Sequence, residues 1–172
     1  MITIRVLQYR ADRQDGHFLD DAISDWTWLF NPKTPPYSHS EVCFSDNLCF
    51  SSTTRNRSGT TKKFIGTRFE DFEIVTRNKS RWDIYAKEIS NVNEREMIDR
   101  AKSIGGRAYY FFGIFADFFL PFGWLSGIVG KKLNQWYCSQ AVYFVLTGQR
   151  KRISPRRLTN YLLHTGFKLQ PK

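Results

Sequence analysis

The stretch YSHSEVCFSDNLCFSS, residues 37–52, decides the fold. Tyr37–Phe44 and Leu48–Ser52 are two runs of strand-forming residues. Ser45-Asp46-Asn47, a cluster of turn formers, separates them, so the stretch reads as a β-hairpin. Its register depends on the loop. A three-residue loop with Asn47 in the left-handed conformation sets residue 44 against 48 and 41 against 51. His39 and Ser51 then share a face, and Cys43 faces Cys49. A two-residue Asp46-Asn47 loop instead sets Glu41 against 52, with Ser52 and Thr54 on the His39 face. The three-residue loop is preferred, because Asp-Asn lacks the glycine that tight two-residue turns favour.

Working outward, residues 2–8 alternate apolar and polar and predict a strand. Residues 20–30 place Ile23, Trp26 and Phe30 on one helical face, and Asn31-Pro32 stops that helix. A polar loop covers 53–63. Residues 72–76 and 82–86 are further strand candidates. Asn93 as N-cap, with Glu96 three residues on, predicts a helix to about Ile104. Residues 108–130 are rich in aromatics. Cys138 to about Leu146 is apolar on nearly all sides and predicts a buried helix. Ser154-Pro155 opens a last helix over 155–163. Mixed strands and helices, with no repeat and no linker, predict one α+β domain over residues 1–172.

Composition narrows the function. The 172 residues include 15 Phe, 8 Tyr and 5 Trp, too much aromatic surface for a disordered chain. The 26 Lys and Arg against 16 Asp and Glu favour an acidic partner, such as an anionic surface, or a solvated basic face. No nucleic-acid motif accompanies the charge, so no specific nucleic acid is expected. Three cysteines are odd in number and too few for a disulfide scaffold, which points to a reducing compartment, the cytoplasm. No signal peptide is visible. The run 111–130 approaches the length of a membrane span. Asp117, Pro121 and its internal glycines favour a buried helix or a groove wall instead. No cofactor is expected. His39, Cys43 and Cys49 fit no standard zinc spacing, so no metal is expected either. His17 and His164 read as loop or surface residues.

The chemistry concentrates at Cys138. It stands where Gln135-Trp136-Tyr137 gives way to the buried helix. Free N–H groups at a helix start stabilise a thiolate and can hold an oxyanion. His39 is a candidate base, with Glu41 on its face two residues later. A buried structural cysteine and a structural strand histidine are the bland alternatives.

Two segments in this order, Tyr37-Ser38-His39-Ser40-Glu41-Val42 and Trp136-Tyr137-Cys138-Ser139-Gln140-Ala141-Val142, carry a resemblance. They resemble the circularly permuted branch of the NlpC-type papain-like hydrolases, which includes YiiX-like proteins and lecithin retinol acyltransferase. Arg5-Val6-Leu7-Gln8-Tyr9, Tyr109-Tyr110-Phe111-Phe112-Gly113-Ile114 and Ser154-Pro155-Arg156-Arg157-Leu158 are similar to motifs of small bacteriophage-encoded members. The resemblance implies a small antiparallel sheet or barrel packed on the helix that starts with the cysteine. It implies Cys138 as nucleophile and His39 as base of a cysteine hydrolase acting on an amide. Peptidoglycan peptides are the first substrate class, and lipid or other esters the second. A virion or membrane surface is the alternative to the cytoplasm.

In such relatives a polar residue about a dozen positions after the histidine orients its ring. That position is Ser51 here. Glu41 is the other candidate: its charge suits an imidazolium, but strand neighbours two apart rarely present the right angle. A backbone carbonyl would also serve. Tyr137 and Tyr37 are candidates to shape the substrate site. Gln140 stands where relatives have Glu.

Overall fold

The computed structural model describes residues 1–10, 37–53, 65–110 and 135–171. Asn47 is the sole non-glycine residue with positive φ among them, at 63°. Asn tolerates this conformation better than most residues. It closes the three-residue loop, with Asn47 N–H donating to the Phe44 carbonyl at 3.1 Å and Phe44 N–H to that of Leu48 at 3.0 Å. Strands β2 (Tyr37–Cys43) and β3 (Leu48–Thr53) follow in the preferred register, with Val42 against Phe50 and Cys43 against Cys49.

Strand β1 (Ile2–Arg10) lies beside β2. Beyond β3 comes β4 (Gly66–Asp71). β5 (Trp82–Ile89) pairs with the other side of β1, and the short β6 (Lys168–Leu169) completes an antiparallel sheet in the order β4-β3-β2-β1-β5-β6. Between β4 and β5 is α1 (Phe72–Val75), followed after β5 by α2 (Asn91–Ser103), α3 (Cys138–Thr147) and α4 (Pro155–His164). The class is α+β, as expected.

Strand alternation sorts the sheet into two apolar faces. Ile4, Val6, Val42, Phe44, Phe50, Tyr85 and Ile89 pack on α3 and α4 through Ala141, Val142, Val145, Leu158 and Leu162. On the opposite face, Leu7, Tyr9, Cys43, Cys49 and Trp82 gather with Val75 of α1. Both faces are covered, which explains how a modest chain buries so much aromatic surface.

Several elements differ from expectation. Residues 72–75 are helical. Asp71 caps them, its carboxylate accepting from Glu73 N–H at 2.8 Å, and Phe72 and Val75 are spaced by three as a helix requires. Strand β4 carries charges that hid it, yet Phe69 turns inward against Phe50, ring centroids 4.9 Å apart. Helix α2 starts three residues early, because Ser90 rather than Asn93 is the cap: Ser90 Oγ accepts from Asn93 N–H at 3.2 Å. Glu96 then pairs with Arg100 at 2.8 Å along the helix instead of closing a capping box. Helix α4 is capped by Ser154 with Pro155 at its start, as the sequence predicts.

The cysteine reading is corrected too. Cys43 and Cys49 form a disulfide across the hairpin, leaving Cys138 as the free thiol. The odd count therefore gives no ground for a reducing compartment, and the two sulfurs are not metal ligands. Among the described residues no helix is long and apolar enough to cross a membrane. The predicted helix at 20–30 and the run 111–130 lie outside the described residues.

Gly66 opens β4 with φ 149°, and a Cβ there would collide with the Arg107 carbonyl. That carbonyl accepts from Thr67 N–H at 2.8 Å, so it cannot retreat without breaking the contact. Gly66→Ala is expected to cost at least about 2 kcal/mol, through strain plus a displaced hydrogen bond. A denaturant titration measures it; an unchanged midpoint contradicts this account of β4.

Candidate functional site

The β2–β3 ladder ends early, and the site forms where it ends. Even-numbered residues of β2 turn their backbone polar groups toward β3, as the Phe44–Leu48 bond shows. Pairing stops after Val42–Phe50. Ser40, two residues further along, therefore needs other partners. Its carbonyl accepts from Ser51 Oγ at 2.6 Å. Its N–H lies on the Cys138 side and favours the thiolate form of that residue. The start of α3 thus seats against the strand that carries His39, at the residue next to His39.

The approach to Cys138 is pinned on several sides. Ser52 Oγ of β3 donates to the Trp136 carbonyl at 2.7 Å. The Arg150 guanidinium lies 4.3 Å over the Trp136 ring and donates to the Gln135 carbonyl at 2.6 Å. Ser139 Oγ donates to the Ile153 carbonyl at 2.6 Å, and Ile153 N–H donates to Tyr137 Oη at 3.0 Å. These bonds tie the first turn of α3 to the strand side and to the chain entering α4. Tyr137 is the N-cap residue but makes no side-chain cap. The first N–H groups of α3 are therefore not consumed by it.

Cys138 is 3% exposed. Burial pushes its thiol up to about 11, against the opposing pull of the Ser40 and Ser139 N–H groups and the Ser139 hydroxyl, while Glu41 pushes it further up. The helix start thus fails to produce a resting thiolate, because desolvation outweighs two or three donors. The thiol is neutral at pH 7. Its alkylation by iodoacetamide is expected to quicken about tenfold per pH unit with no plateau below pH 10; a plateau near neutrality contradicts this. The folded state holds this proton more tightly than the unfolded chain, whose thiol loses it near 9.0. This group therefore leaves stability unchanged below pH 9 and lowers it as pH rises from there.

His39 is 6% exposed and Glu41 1%. His39 Nε2 lies 3.0 Å from Glu41 Oε1. The right angle that two strand neighbours rarely achieve is achieved here. A bulge lies just before the histidine, where Tyr9 pairs with His39 but Arg10 with Tyr37. The His39 ring sits 6.2 Å from that of Trp82, at 68°. Ser51, the expected orienter, shares the His39 face in register but bonds the Ser40 carbonyl instead of the ring. Nε2 is directed at Glu41, and the carboxylate accepts from it whenever that nitrogen carries a proton. Strand alternation puts His39 beside Tyr9 and Trp82, on the sheet face away from α3, and among the described residues no hydrogen bond joins its side chain to Cys138.

The Tyr37 side chain is buried. Its hydroxyl donates to Asp83 Oδ2 at 2.5 Å and lies 3.1 Å from Tyr85 Oη, and Arg10 grips the same carboxylate at 2.6 and 2.7 Å. Burial holds the Tyr37 hydroxyl well above the ordinary tyrosine range. Tyr137 is likewise buried, and its hydroxyl is bound to Ile153. Both tyrosines brace the site from within.

The sequence reading missed Ser40, the hinge of the whole arrangement, and Gln8. Gln8 is wholly buried on the helix-facing side of β1, and its Oε1 accepts from Ser40 Oγ at 2.8 Å. A signal existed: Ile4, Val6 and Gln8 form one inward row, and an amide ends it. Among the described residues no cluster of three or more His, Cys, Asp or Glu is placed to hold a metal. No protein-family model, curated protein or solved structure matches this chain.

Proposed function

We propose that the protein is a cysteine-dependent acyl hydrolase, with Cys138 as nucleophile and His39 as base, built on a permuted papain-like arrangement in which the histidine strand precedes the cysteine helix. One observation carries this reading. The free cysteine, at the start of a ten-residue helix, feels the backbone N–H of Ser40, the residue next to a histidine that lies 3.0 Å from a buried carboxylate.

The neutral thiol sets the order of events. A base must take its proton as attack begins, and the base proposed is His39, next in the chain to Ser40. Glu41 stabilises the imidazolium that results. Sulfur bonds to the carbonyl carbon while the carbonyl pair moves to oxygen, beside the Cys138 N–H. His39 returns its proton to the leaving amine, and a thioester remains. Water, deprotonated by the same ring, releases the acid and restores the thiol.

The substrate class proposed is an amide, with peptidoglycan stem peptides first and lipid esters as the alternative. Incubation with muropeptides, an N-acyl amino acid amide and a phospholipid, followed by mass analysis of the products, tests it. Amide cleavage that disappears in Cys138→Ala is the expected result. Ester cleavage alone moves the reading to the lipid class, and turnover that survives the substitution overturns it.

A further inference from the structure

We propose that Arg150 and Arg152 form a cationic rim beside Cys138 that selects acyl donors carrying a carboxylate. This inference rests on the reading of Cys138 as nucleophile. The distribution of charge along the chain points to this region first. Residues 118–172 contain no Asp or Glu and nine Lys and Arg, whereas residues 1–117 hold 17 Lys and Arg against 16 Asp and Glu. Almost all of the positive excess therefore belongs to the last third of the chain. Its densest part is Arg150-Lys151-Arg152 with Arg156-Arg157.

The fold lays that cluster against the start of α3. Arg150 donates to the Gln135 carbonyl at 2.6 Å and covers the Trp136 ring at 4.3 Å. Ile153 N–H donates to Tyr137 Oη at 3.0 Å, and the Ile153 carbonyl accepts from Ser139 Oγ at 2.6 Å. Residues 150–153 thus run alongside 135–139, and Cys138 lies between the bonded positions. Both guanidiniums also act on the buried Tyr110, which packs with Tyr137, the residue before the cysteine. This arrangement is costly. Burial works against the charge of Arg150 and of Arg152. Arg156 and Arg157 stand in the first turn of α4, where the helix start is itself positive and no acidic side chain offsets them. A surface with no task would intersperse the two signs of charge. A carboxylate on the substrate supplies the missing counter-charge. Charge acts over about 8 Å at physiological ionic strength, so a guanidinium need not touch the sulfur to favour an anion that approaches it. Glu41 opposes this field at Cys138, and its own charge lies 3.0 Å from the His39 ring.

The test compares two reagents that differ in one charge. Iodoacetate and iodoacetamide alkylate by the same step: sulfur bonds to the methylene carbon, iodide leaves, and the thiol proton passes to the medium. The thiolate fraction enters both rates and cancels in their ratio, which reads the field at the sulfur without needing acyl transfer. Free cysteine supplies the reference ratio. Wild type is expected to favour iodoacetate at Cys138 by at least about fivefold over that reference. Arg152→Gln is expected to lose about two- to threefold of the preference and Arg152→Lys to retain it, which separates charge from packing. Salt at about 1 M, where the Debye length is about 3 Å, is expected to erase most of it. The same preference is expected in acyl transfer, for mono-p-nitrophenyl succinate over p-nitrophenyl butyrate. A ratio at or below the reference, or a raised ratio that Arg152→Gln leaves unchanged in the folded protein, overturns the proposal. A preference for iodoacetate without any p-nitrophenolate burst retains the rim and removes the hydrolase reading. A Cys138 that reacts with none of the four reagents removes the nucleophile reading and the proposal with it.

Discussion

Cys138→Ala is expected to abolish acyl transfer, by at least about 1,000-fold, while leaving the fold in place. The large loss follows from covalent catalysis: no other free cysteine is present to replace the sulfur. The small structural cost follows from what the sulfur touches. It is buried, so its removal leaves a small void, at a cost of about 1 kcal/mol. The helix itself is anchored elsewhere, by Ala141, Val142 and Val145 on the sheet and by Ser139 on Ile153. Activity and a denaturant midpoint measured on the same preparation separate the two effects. A collapse of the fold, or retained turnover, contradicts this assignment.

The second large effect is at the histidine pair. His39→Ala is expected to slow acyl transfer by roughly 100- to 10,000-fold, the usual worth of a general base. The neutral thiol makes this dependence strong, because without a base only the minute thiolate fraction at pH 7 can attack. Glu41→Gln keeps a hydrogen-bond partner 3.0 Å from the ring but removes its charge. A loss of about 10- to 100-fold is expected, since the imidazolium is then less stabilised. Ser51→Ala is expected to cost less than either, because its hydroxyl serves the Ser40 carbonyl and not the ring. Rates on p-nitrophenyl acetate across the three variants check this order. A larger loss at Ser51 than at Glu41 reverses it.

The hairpin and the last two helices were legible because their signals are local. Ser45-Asp46-Asn47 dictated the loop, Asn47 took the left-handed conformation, and the register followed. Ser154-Pro155 and the apolar run after Cys138 marked α4 and α3. Other features depended on partners far along the chain. β4 was hidden by its charges, because Phe69 and Thr67 count as inward residues only once β3 and Arg107 are beside them. Glu41 ranks below Ser51 on ideal strand geometry, yet its carboxylate lies 3.0 Å from the His39 ring. The state of the Cys138 thiol was misjudged for a similar reason. A helix start advertises its donors in sequence, whereas the burial that outweighs them exists only in the packed chain. Ser40 shows the limit most plainly: a small residue between two notable ones, whose importance arises from a ladder that ends one pair too soon.

The most direct test of the central claim is the mass of the acylated protein. The chain is mixed with excess p-nitrophenyl acetate, quenched in acid within the first turnover, digested and mapped by mass spectrometry. The account predicts one acetyl group on the peptide containing Cys138, absent from Cys138→Ala and strongly reduced in His39→Ala. An acetyl group confined to lysines, or found on Cys138 to the same extent without His39, contradicts it.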